Sequence, residues 1–154
     1  MSHSIYISEL FNPDEFENAV NKSCELIQDK FPNVDYIACS GISGITIAGA
    51  ICYKLGKHIF INRKKTDDSH AMINKKQQNE FLEIDTGKIN TAVIIDDLIS
   101  SGDTAKRINN ALSDNEILTI GMILYHETAY NGDPFGNTEA GLDFPIHSTN
   151  KDID

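Results

Sequence analysis

The sequence predicts one α/β domain in which helices flank a doubly wound, mostly parallel sheet. Three observations lead to this fold class. Short apolar runs rich in β-branched residues alternate along the chain with stretches of helical periodicity. Turns of small residues follow two of these runs, as expected where a strand leads into a helix. The length of 154 residues and the hydrophobic content of 40% are enough for one core.

The first predicted element is a helix that begins after Asn12. Asn is a favourable N-cap, Pro13 suits the first helical position, and acidic side chains follow in the first turn. Pro32 ends the pattern, because proline cannot continue a helix. Apolar residues recur at helical spacing and predict a buried face: Phe16, Val20, Cys24, Ile27 and Phe31.

The next unit is predicted to be a strand, a turn and a helix. Residues 34–39 form the apolar strand, residues 45–55 form the helix, and Gly56 closes that helix at its C-terminus. The glycine turn between them is either an anion-binding site or, as is more common for such a turn, only a connection between strand and helix. It comprises Ser40, Gly41, Ile42, Ser43 and Gly44.

A basic cluster follows the second predicted strand, residues 58–62. Arg63, Lys64 and Lys65 stand at the carboxyl end of that strand, where they form either a solvated turn or a phosphate-binding group. The polar stretch that follows, residues 66–88, shows no clean period, and a stretch of this length is usually functional or disordered. It contains several charged or titratable side chains, among them His70, Lys75 and Lys76.

The most informative segment comprises residues 91–104. Its apolar run, residues 92–95, is typical of a strand buried on both faces. Asp96 and Asp97 follow, and then a turn of small and hydroxyl-bearing residues, 100–104, leads into a helical pattern. Ligands of open α/β sheets bind beyond the carboxyl ends of the strands, where the next helix attracts anions. The segment therefore predicts a phosphate site beside two acids that suit sugar hydroxyls or a metal.

A last apolar strand is predicted over residues 117–125. His126 follows it and either faces a ligand or begins a loop. Beyond this point strand and turn signals mix. Phe135 and Phe144 lie in this part of the chain, and an aromatic residue beside proline is more often part of the core.

Composition argues against several functions. The net charge of −10, from 13 basic and 23 acidic residues, disfavours nucleic acid and anionic membranes as partners. Apolar runs stay well short of the roughly 20 residues that span a bilayer, and the first residues lack the pattern of a signal peptide. Three cysteines without metal-ligand spacing predict buried, reduced thiols and a cytoplasmic protein.

The segment that begins at Val93 resembles the phosphoribosyl-diphosphate signature of type I phosphoribosyltransferases. That signature has apolar residues, two acids, two apolar residues and a small residue-Thr-Gly-x-Thr loop. In this chain Ser101 replaces the threonine and keeps its hydroxyl, whereas Asp103 adds a negative charge beside the phosphate site. The resemblance covers roughly residues 34–125. The motif residues, including Asn62-Arg63-Lys64, are most similar to those of the adenine and orotate members.

The resemblance implies a donor, 5-phosphoribosyl 1-diphosphate (PRPP), that travels with Mg²⁺. Asp96 and Asp97 are then the catalytic acids and the Mg²⁺ ligands, directly or indirectly. The 5′-phosphate would be held by Ser100, Ser101, Gly102, Asp103 and Thr104. The leaving pyrophosphate would be held by Ser40, Gly41, Ile42, Ser43 and Gly44, together with Arg63 and Lys64.

The same resemblance divides the single domain 1–154 into a core of about 34–125 and two further parts. A mobile loop of about 63–88 would close over the site, with Lys65, His70, Lys75 and Lys76 as candidates to reach the pyrophosphate. A small hood from residues 1–12 and 126–154 would recognise the base, with His126, Phe135 and Phe144 as candidates. The expected partners are PRPP and a nucleobase, with a purine favoured, and a homodimer is a further expectation.

Two other interpretations stay open. The first is a regulator with the same fold that binds PRPP or a nucleotide without catalysis. The absence of a basic residue from the 40–44 turn and the presence of Asp103 favour it, whereas the acid pair and Arg63 argue against it. The second is an unrelated nucleotide-binding domain, for which the usual glycine-rich phosphate motifs are missing. A sheet order with the Ile95 strand at its edge would revive that interpretation.

Overall fold

The structure of the chain, a computed structural model, describes residues 12–63, 79–81, 87–97, 102–126 and 142–149. In these ranges the chain forms three helices and six strands. The helices are α1 (Pro13–Lys30), α2 (Gly41–Leu55) and α3 (Asp103–Asp114). The strands are β1 (Tyr36–Cys39), β2 (His58–Asn62), β3 (Asn79–Phe81), β4 (Asn90–Asp96), β5 (Ile117–Leu124) and β6 (Ile146–Ser148).

The strands form one sheet in the order β3-β2-β1-β4-β5-β6. All neighbouring pairs are parallel except β2 and β3, which are antiparallel at the edge. Strand β4, which ends in Asp96, therefore lies in the interior of the sheet between β1 and β5. An edge position would have revived the unrelated nucleotide-binding interpretation, and the observed order does not provide it.

Helices cover both faces of the sheet, which confirms the predicted doubly wound fold. Side chains alternate along β4: Ala92 and Ile94 pack with α3, whereas Val93 and Ile95 pack with α1 and α2. All four are fully buried, as expected for a parallel strand with a hydrophobic layer on each side. The predicted apolar face of α1 is also buried or packed against this core.

Two predicted boundaries need correction. The 40–44 turn is not separate from the helix, because α2 begins at Gly41 and residues 41–44 form its first turn. The core sheet also continues past residue 125, since β6 pairs with β5 in parallel. Within the predicted hood segment, residues 146–148 thus belong to the sheet. Apolar side chains of that segment, Leu142, Phe144 and Ile146, are buried in the core on the α3 face.

The cysteines are free thiols in this fold. Cys24 and Cys39 are buried and Cys52 is half-buried. Burial raises the pKa of Cys39 and Cys52 to about 12, so both thiols stay protonated at neutral pH. Helices in the described part of the chain are too short or too polar to cross a membrane.

Candidate active site

Polar side chains from four strands meet at one edge of the sheet. Strands β1, β2, β4 and β5 run parallel, so their carboxyl ends lie at the same edge. Within two residues of these ends lie Ser40, Arg63, Asp96 and His126. This is the edge at which open α/β sheets bind ligands, and it brings the predicted acid pair together with the predicted turn.

The acid pair is buried. Asp96 is 9% exposed and Asp97 is 5% exposed. The Asp96 Oδ1 atom accepts a hydrogen bond from the Asp97 backbone N–H at 2.9 Å. It also accepts one from the Ser43 hydroxyl at 3.4 Å, which joins the acid pair to the first turn of α2.

Burial dominates the electrostatics of Asp96. It raises the pKa of this carboxyl to about 8, with further upward contributions from the side chain and charge of Asp97. The Asp97 amide and the Ser43 hydroxyl act in the opposite direction because they stabilise the carboxylate. Burial therefore favours the protonated form of the Asp96 carboxyl group. A cation or a set of sugar hydroxyls beside it would stabilise the charged form.

Tyr125 forms hydrogen bonds with both the acid pair and residue 43 in the first turn of α2, and the sequence did not indicate this role. Its hydroxyl donates to the Ser43 carbonyl at 2.7 Å, while its backbone N–H donates to the Asp96 carbonyl at 3.1 Å. Burial and the nearby acids raise the pKa of this phenol, so it remains a donor. The next backbone N–H, of His126, donates to the Asp97 carbonyl at 3.1 Å. The sequence marked Tyr125 only as the end of a strand.

Gly44 allows α2 to lie close to the acid pair. A Cβ atom at this position would stand 3.1 Å from the Cys39 Cβ and 3.4 Å from the Ile95 carbonyl oxygen. The first turn of α2 thus contacts the ends of both β1 and β4. This close approach puts Ser43 within reach of Asp96, and it gives a physical reason for glycine in the turn.

Arg107 is a second residue that sequence reasoning missed. It projects from α3, and its Nη2 atom donates to the Ser40 hydroxyl at 3.1 Å. Its Nη1 atom donates to the Asn62 side-chain carbonyl at 2.5 Å. The guanidinium thus spans the carboxyl ends of β1 and β2. Helical periodicity indicates only that Arg107 lies off the apolar face of α3, and it carries no signal for these distant partners.

The two helices that begin at this edge differ from α1 in how they start. At α1 the Asn12 side chain accepts hydrogen bonds from the backbone N–H groups of Asp14 and Glu15. Ser40 and Gly102, the N-cap residues of α2 and α3, make no side-chain cap. The first N–H groups of a helix need an acceptor, and the helix dipole favours an anionic one. The starts of α2 and α3 are therefore suited to phosphate groups.

The described part of the chain contains only some of the predicted site residues. Asp103 is exposed and Thr104 is half-buried at the start of α3, while Gly102 has a left-handed φ of 87°. Ile42 is 64% exposed and offers only its backbone to a ligand. The predicted residues outside the described ranges are Lys64, Lys65, His70, Lys75, Lys76, Ser100, Ser101 and Phe135.

The two described candidates for base recognition, His126 and Phe144, lie in different environments. His126 is half-buried at the ligand-bearing edge, so its predicted position is consistent with a role there. Phe144 is 3% exposed and packs in the core on the α3 face. A side chain buried in this way cannot stack on a base, so its assignment as a base-binding residue is corrected to a core residue. The terminal stretches 1–11 and 150–154 of the predicted hood lie outside the described ranges, as does 127–141.

The acid pair is compatible with Mg²⁺ only if a ligand supplies the remaining oxygens. Among the described residues no group of three or more His, Cys, Asp or Glu side chains could hold a metal ion. Mg²⁺ commonly binds one or two carboxylates, keeps several waters and takes other oxygens from substrate phosphates. Asp96 and Asp97 match that pattern, and they do not form a site made by the protein alone.

Sequence comparison finds relatives of one kind. An adenine phosphoribosyltransferase of Thermotoga sp. (strain RQ2) is 28% identical over 106 residues, which cover 64% of this chain and 61% of that protein. One of Treponema denticola is 26% identical over 120 residues, covering 73% of this chain and 62% of that protein. The chain thus spans about three fifths of the length of these curated relatives. No family model matches the sequence.

Solved structures share the fold. Adenine phosphoribosyltransferase from Saccharomyces cerevisiae, solved with an imino-altritol bisphosphate and adenine, superposes with a TM-score of 0.69 at 17% identity. The match covers 92% of this chain and 82% of that one. Orotate phosphoribosyltransferase from Aeropyrum pernix gives a TM-score of 0.67 at 14% identity over 92% of this chain and 73% of that one.

Proposed function

We propose that this chain is a type I phosphoribosyltransferase that transfers a phosphoribosyl group from PRPP to a nucleobase. The sequence relatives and the shared fold support this proposal. One observation supports this proposal most directly. The buried acids Asp96 and Asp97 lie at the end of an interior strand, beside a helix start that makes no side-chain cap. Acids for a sugar and N–H groups for a phosphate are thereby combined at one sheet edge.

In the proposed reaction the bond between C1 of the ribose and the pyrophosphate oxygen breaks, and a bond from C1 to a ring nitrogen of the base forms. Bond breaking gives a cation-like sugar, as in glycoside hydrolysis. Asp97 stabilises that positive charge and accepts the proton that the base nitrogen loses. Asp96 holds the ribose hydroxyls, and Ser43 and Tyr125 keep its carboxyl group in place.

The two helix starts hold the two ends of the donor in this proposal. The 5′-phosphate binds at the start of α3, and the leaving pyrophosphate binds at the first turn of α2 with Arg63 beside it. Fixing both ends of the donor supplies on the order of 5–10 kcal/mol of the barrier reduction through orientation alone. Mg²⁺, held by Asp96 and Asp97 together with donor oxygens, would offset negative charge on the pyrophosphate.

We propose a purine, and adenine first, as the acceptor. The relatives that match the sequence are named adenine phosphoribosyltransferases, and the yeast protein of the same fold was solved with adenine. Orotate enzymes share the fold as well, so the base is the less strongly supported part of the proposal. The homodimer and the mobile loop remain predictions from the sequence.

A pyrophosphate-release assay tests the proposal. The chain is mixed with Mg²⁺, PRPP and, one at a time, adenine, guanine, hypoxanthine, xanthine, uracil, orotate or nicotinamide. We expect release with adenine and little with the pyrimidines. Omission of Mg²⁺ in the presence of a chelator should abolish release if the metal is required.

The same assay separates the enzyme from the regulator that remains the alternative. If no base gives pyrophosphate release but calorimetry shows PRPP binding, the result would contradict transfer and favour a binding protein with this fold. The absence of both pyrophosphate release and PRPP binding would contradict both functions.

A further inference from the structure

The proposed pyrophosphate site poses an electrostatic problem for this chain. Residues 40–44 contain no cationic side chain, although they would hold a highly charged anion. Two acids, Asp96 and Asp97, lie at the same edge, and the chain as a whole has a net charge of −10. Backbone N–H groups carry only partial charges, so a full positive charge near the turn would improve anion binding.

Arg107 supplies a positive charge at this place from another element. Its guanidinium donates to the hydroxyl of Ser40, the residue from which α2 begins, at 3.1 Å. It also donates to Asn62, the last residue of β2 and the neighbour of Arg63. Both acceptors are buried, at 6% exposed for Ser40 and 5% for Asn62, so the arginine bridges two well-fixed groups.

The bridge also connects the two ends of the proposed donor site. Arg107 lies one turn into α3, whose start is the proposed 5′-phosphate site. Ser40 and Asn62 belong to the ends of β1 and β2, which carry the proposed pyrophosphate site. The distance between these two sites must match the length of the donor, and a rigid bridge between them maintains that distance.

Arginine is suited to this task and lysine is not. The guanidinium is planar and presents several N–H groups in a fixed fork, so two of its nitrogens can bind acceptors on adjacent strands at once. Neighbouring strands lie about 4.8 Å apart, which a single ammonium group spans poorly. Arginine also stays charged at any physiological pH.

We propose that Arg107 is a positioning residue of the leaving-group site, which holds the first turn of α2 and the end of β2 in place and adds the positive charge that residues 40–44 lack. The inference rests on the proposed function, because it assigns Arg107 to the pyrophosphate end of the PRPP site. It predicts that loss of Arg107 weakens binding of pyrophosphate far more than binding of a 5′-phosphate.

Three variants test the inference: Arg107→Met, Arg107→Lys and the matched control Lys106→Met. Lys106 is the exposed neighbour of Arg107 on α3, so its replacement changes the net charge equally. Calorimetry measures pyrophosphate and ribose 5-phosphate binding with Mg²⁺ present, and kinetics give KM for PRPP and for the base. Thermal melting checks that each variant is folded.

For Arg107→Met we expect a ten- to fiftyfold rise in the Kd of pyrophosphate and in KM for PRPP. The Kd of ribose 5-phosphate and KM for the base should change less than threefold. Arg107→Lys, which keeps the charge but not the two-acceptor bridge, should fall between wild type and Arg107→Met. Lys106→Met should match the wild type within twofold for all four quantities.

If the affinities for pyrophosphate and ribose 5-phosphate fall by the same factor, the inference is overturned and Arg107 is a structural residue. Should Arg107→Met fail to fold, the folded Arg107→Lys variant decides by the same comparison, and its loss must be selective for pyrophosphate. A wild-type chain that binds both ligands without transfer contradicts the proposed activity alone. A wild-type chain that binds neither ligand overturns the PRPP site and the inference together.

Discussion

Asp35 lies at the edge of the sheet where the parallel strands begin, and Asp96 lies at the edge where they end. The two residues differ in how the protein stabilises the charged form of the carboxyl group. Asp35 directly precedes β1, where its carboxylate accepts hydrogen bonds from the Lys88 ammonium at 2.8 Å and the Thr91 backbone N–H at 2.9 Å. Asp96 ends β4, and its Oδ1 atom accepts from neutral donors, the Asp97 amide and the Ser43 hydroxyl. Strands β1 and β4 pair in parallel, so the contrast lies along one strand pair.

The two carboxyl groups consequently have opposite pKa shifts. At Asp35, burial alone would raise the pKa, but the hydrogen bonds and charge of Lys88 and the hydrogen bonds of Thr91 lower it overall. At Asp96, burial and the neighbouring acid outweigh the hydrogen bonds and raise the pKa. The amino-terminal edge thus stabilises a charge for the fold. The carboxyl-terminal edge holds an acid at a cost in stability, as expected of a functional site.

The largest expected effect is on catalysis at the carboxyl-terminal edge. We expect Asp97→Asn to abolish transfer, a loss of at least about 10²–10³-fold, because the group that we propose stabilises the sugar cation and accepts the proton is gone. PRPP binding should stay within about tenfold. The matched control is Asp35→Asn, the same substitution at the other edge, which should leave turnover per folded molecule unchanged. Near-normal turnover in Asp97→Asn would contradict the assigned role.

Asp96→Asn should stabilise the ligand-free protein at neutral and mildly alkaline pH. The folded pKa of Asp96, about 8, lies above the unfolded value of 3.8. Between these values the unfolded state has lost a proton that the folded state keeps, so stability declines as pH rises from about 4 to 8. The amide keeps an acceptor oxygen for Asp97 and Ser43 without this decline. The variant should therefore be more stable than wild type at pH 8.

Chemical denaturation of wild type and Asp96→Asn at several pH values, with a chelator present, measures this difference. The advantage of the variant should grow from pH 4 to pH 8 and then level off. A variant less stable than wild type at pH 8, or an advantage that does not change with pH, would show that burial does not dominate at Asp96.

A basic residue at each edge extends the comparison. Arg63→Ala should weaken pyrophosphate and PRPP binding about ten- to a hundredfold, because charge-assisted hydrogen bonds to phosphate are lost. Binding of a nucleoside monophosphate should fall far less. Lys88→Ala, at the opposite edge, serves as the control and should change neither affinity. Calorimetry with the three ligands measures the ratio, and equal losses for all of them in Arg63→Ala would contradict a pyrophosphate role.

The smallest effects are expected at the amino-terminal edge. Asp35→Asn should lower the free energy of unfolding at pH 7 by about 1 kcal/mol, through weaker contacts with Lys88 and Thr91. The folded pKa of Asp35 is lowered, so its stabilisation is complete above the unfolded pKa and is lost as pH falls through the folded pKa. Wild type and variant should therefore converge in acid.

Lys88→Met tests the ion pair alone, and because Lys88 is 52% exposed its loss should cost less than about 1 kcal/mol. Urea denaturation at pH 7 and at pH 3 measures both variants. A difference between wild type and Asp35→Asn that widens in acid would contradict the assigned direction of the pKa shift.

Periodicity and turn chemistry were sufficient to predict most of the local structure. The apolar run before Asp96 predicted a strand buried on both faces, and the structure shows such a strand in the sheet interior. Asn12 caps α1 as predicted, and Gly56 ends α2 in the left-handed conformation. These features depend on residues close together in the sequence, for which short-range rules are informative.

Contacts over long sequence separations could not be predicted in this way. Arg107 and Ser40 are 67 positions apart, and Tyr125 and Ser43 are 82 apart. Nothing in either local pattern identifies the partner. Phe144 was ambiguous for the same reason, because only the pairing of β6 with β5 shows that this segment belongs to the core.

The sequence by itself determined the order of the helices and of the strands other than β3 and β6, and the position of the acid pair at a strand end. These follow from hydrophobic spacing and from the residue types that begin and end helices. Only the tertiary structure decided which acids are stabilised as ions. Asp35 and Asp96 are the same residue type, and their opposite pKa shifts arise from burial and from partners that folding brings near.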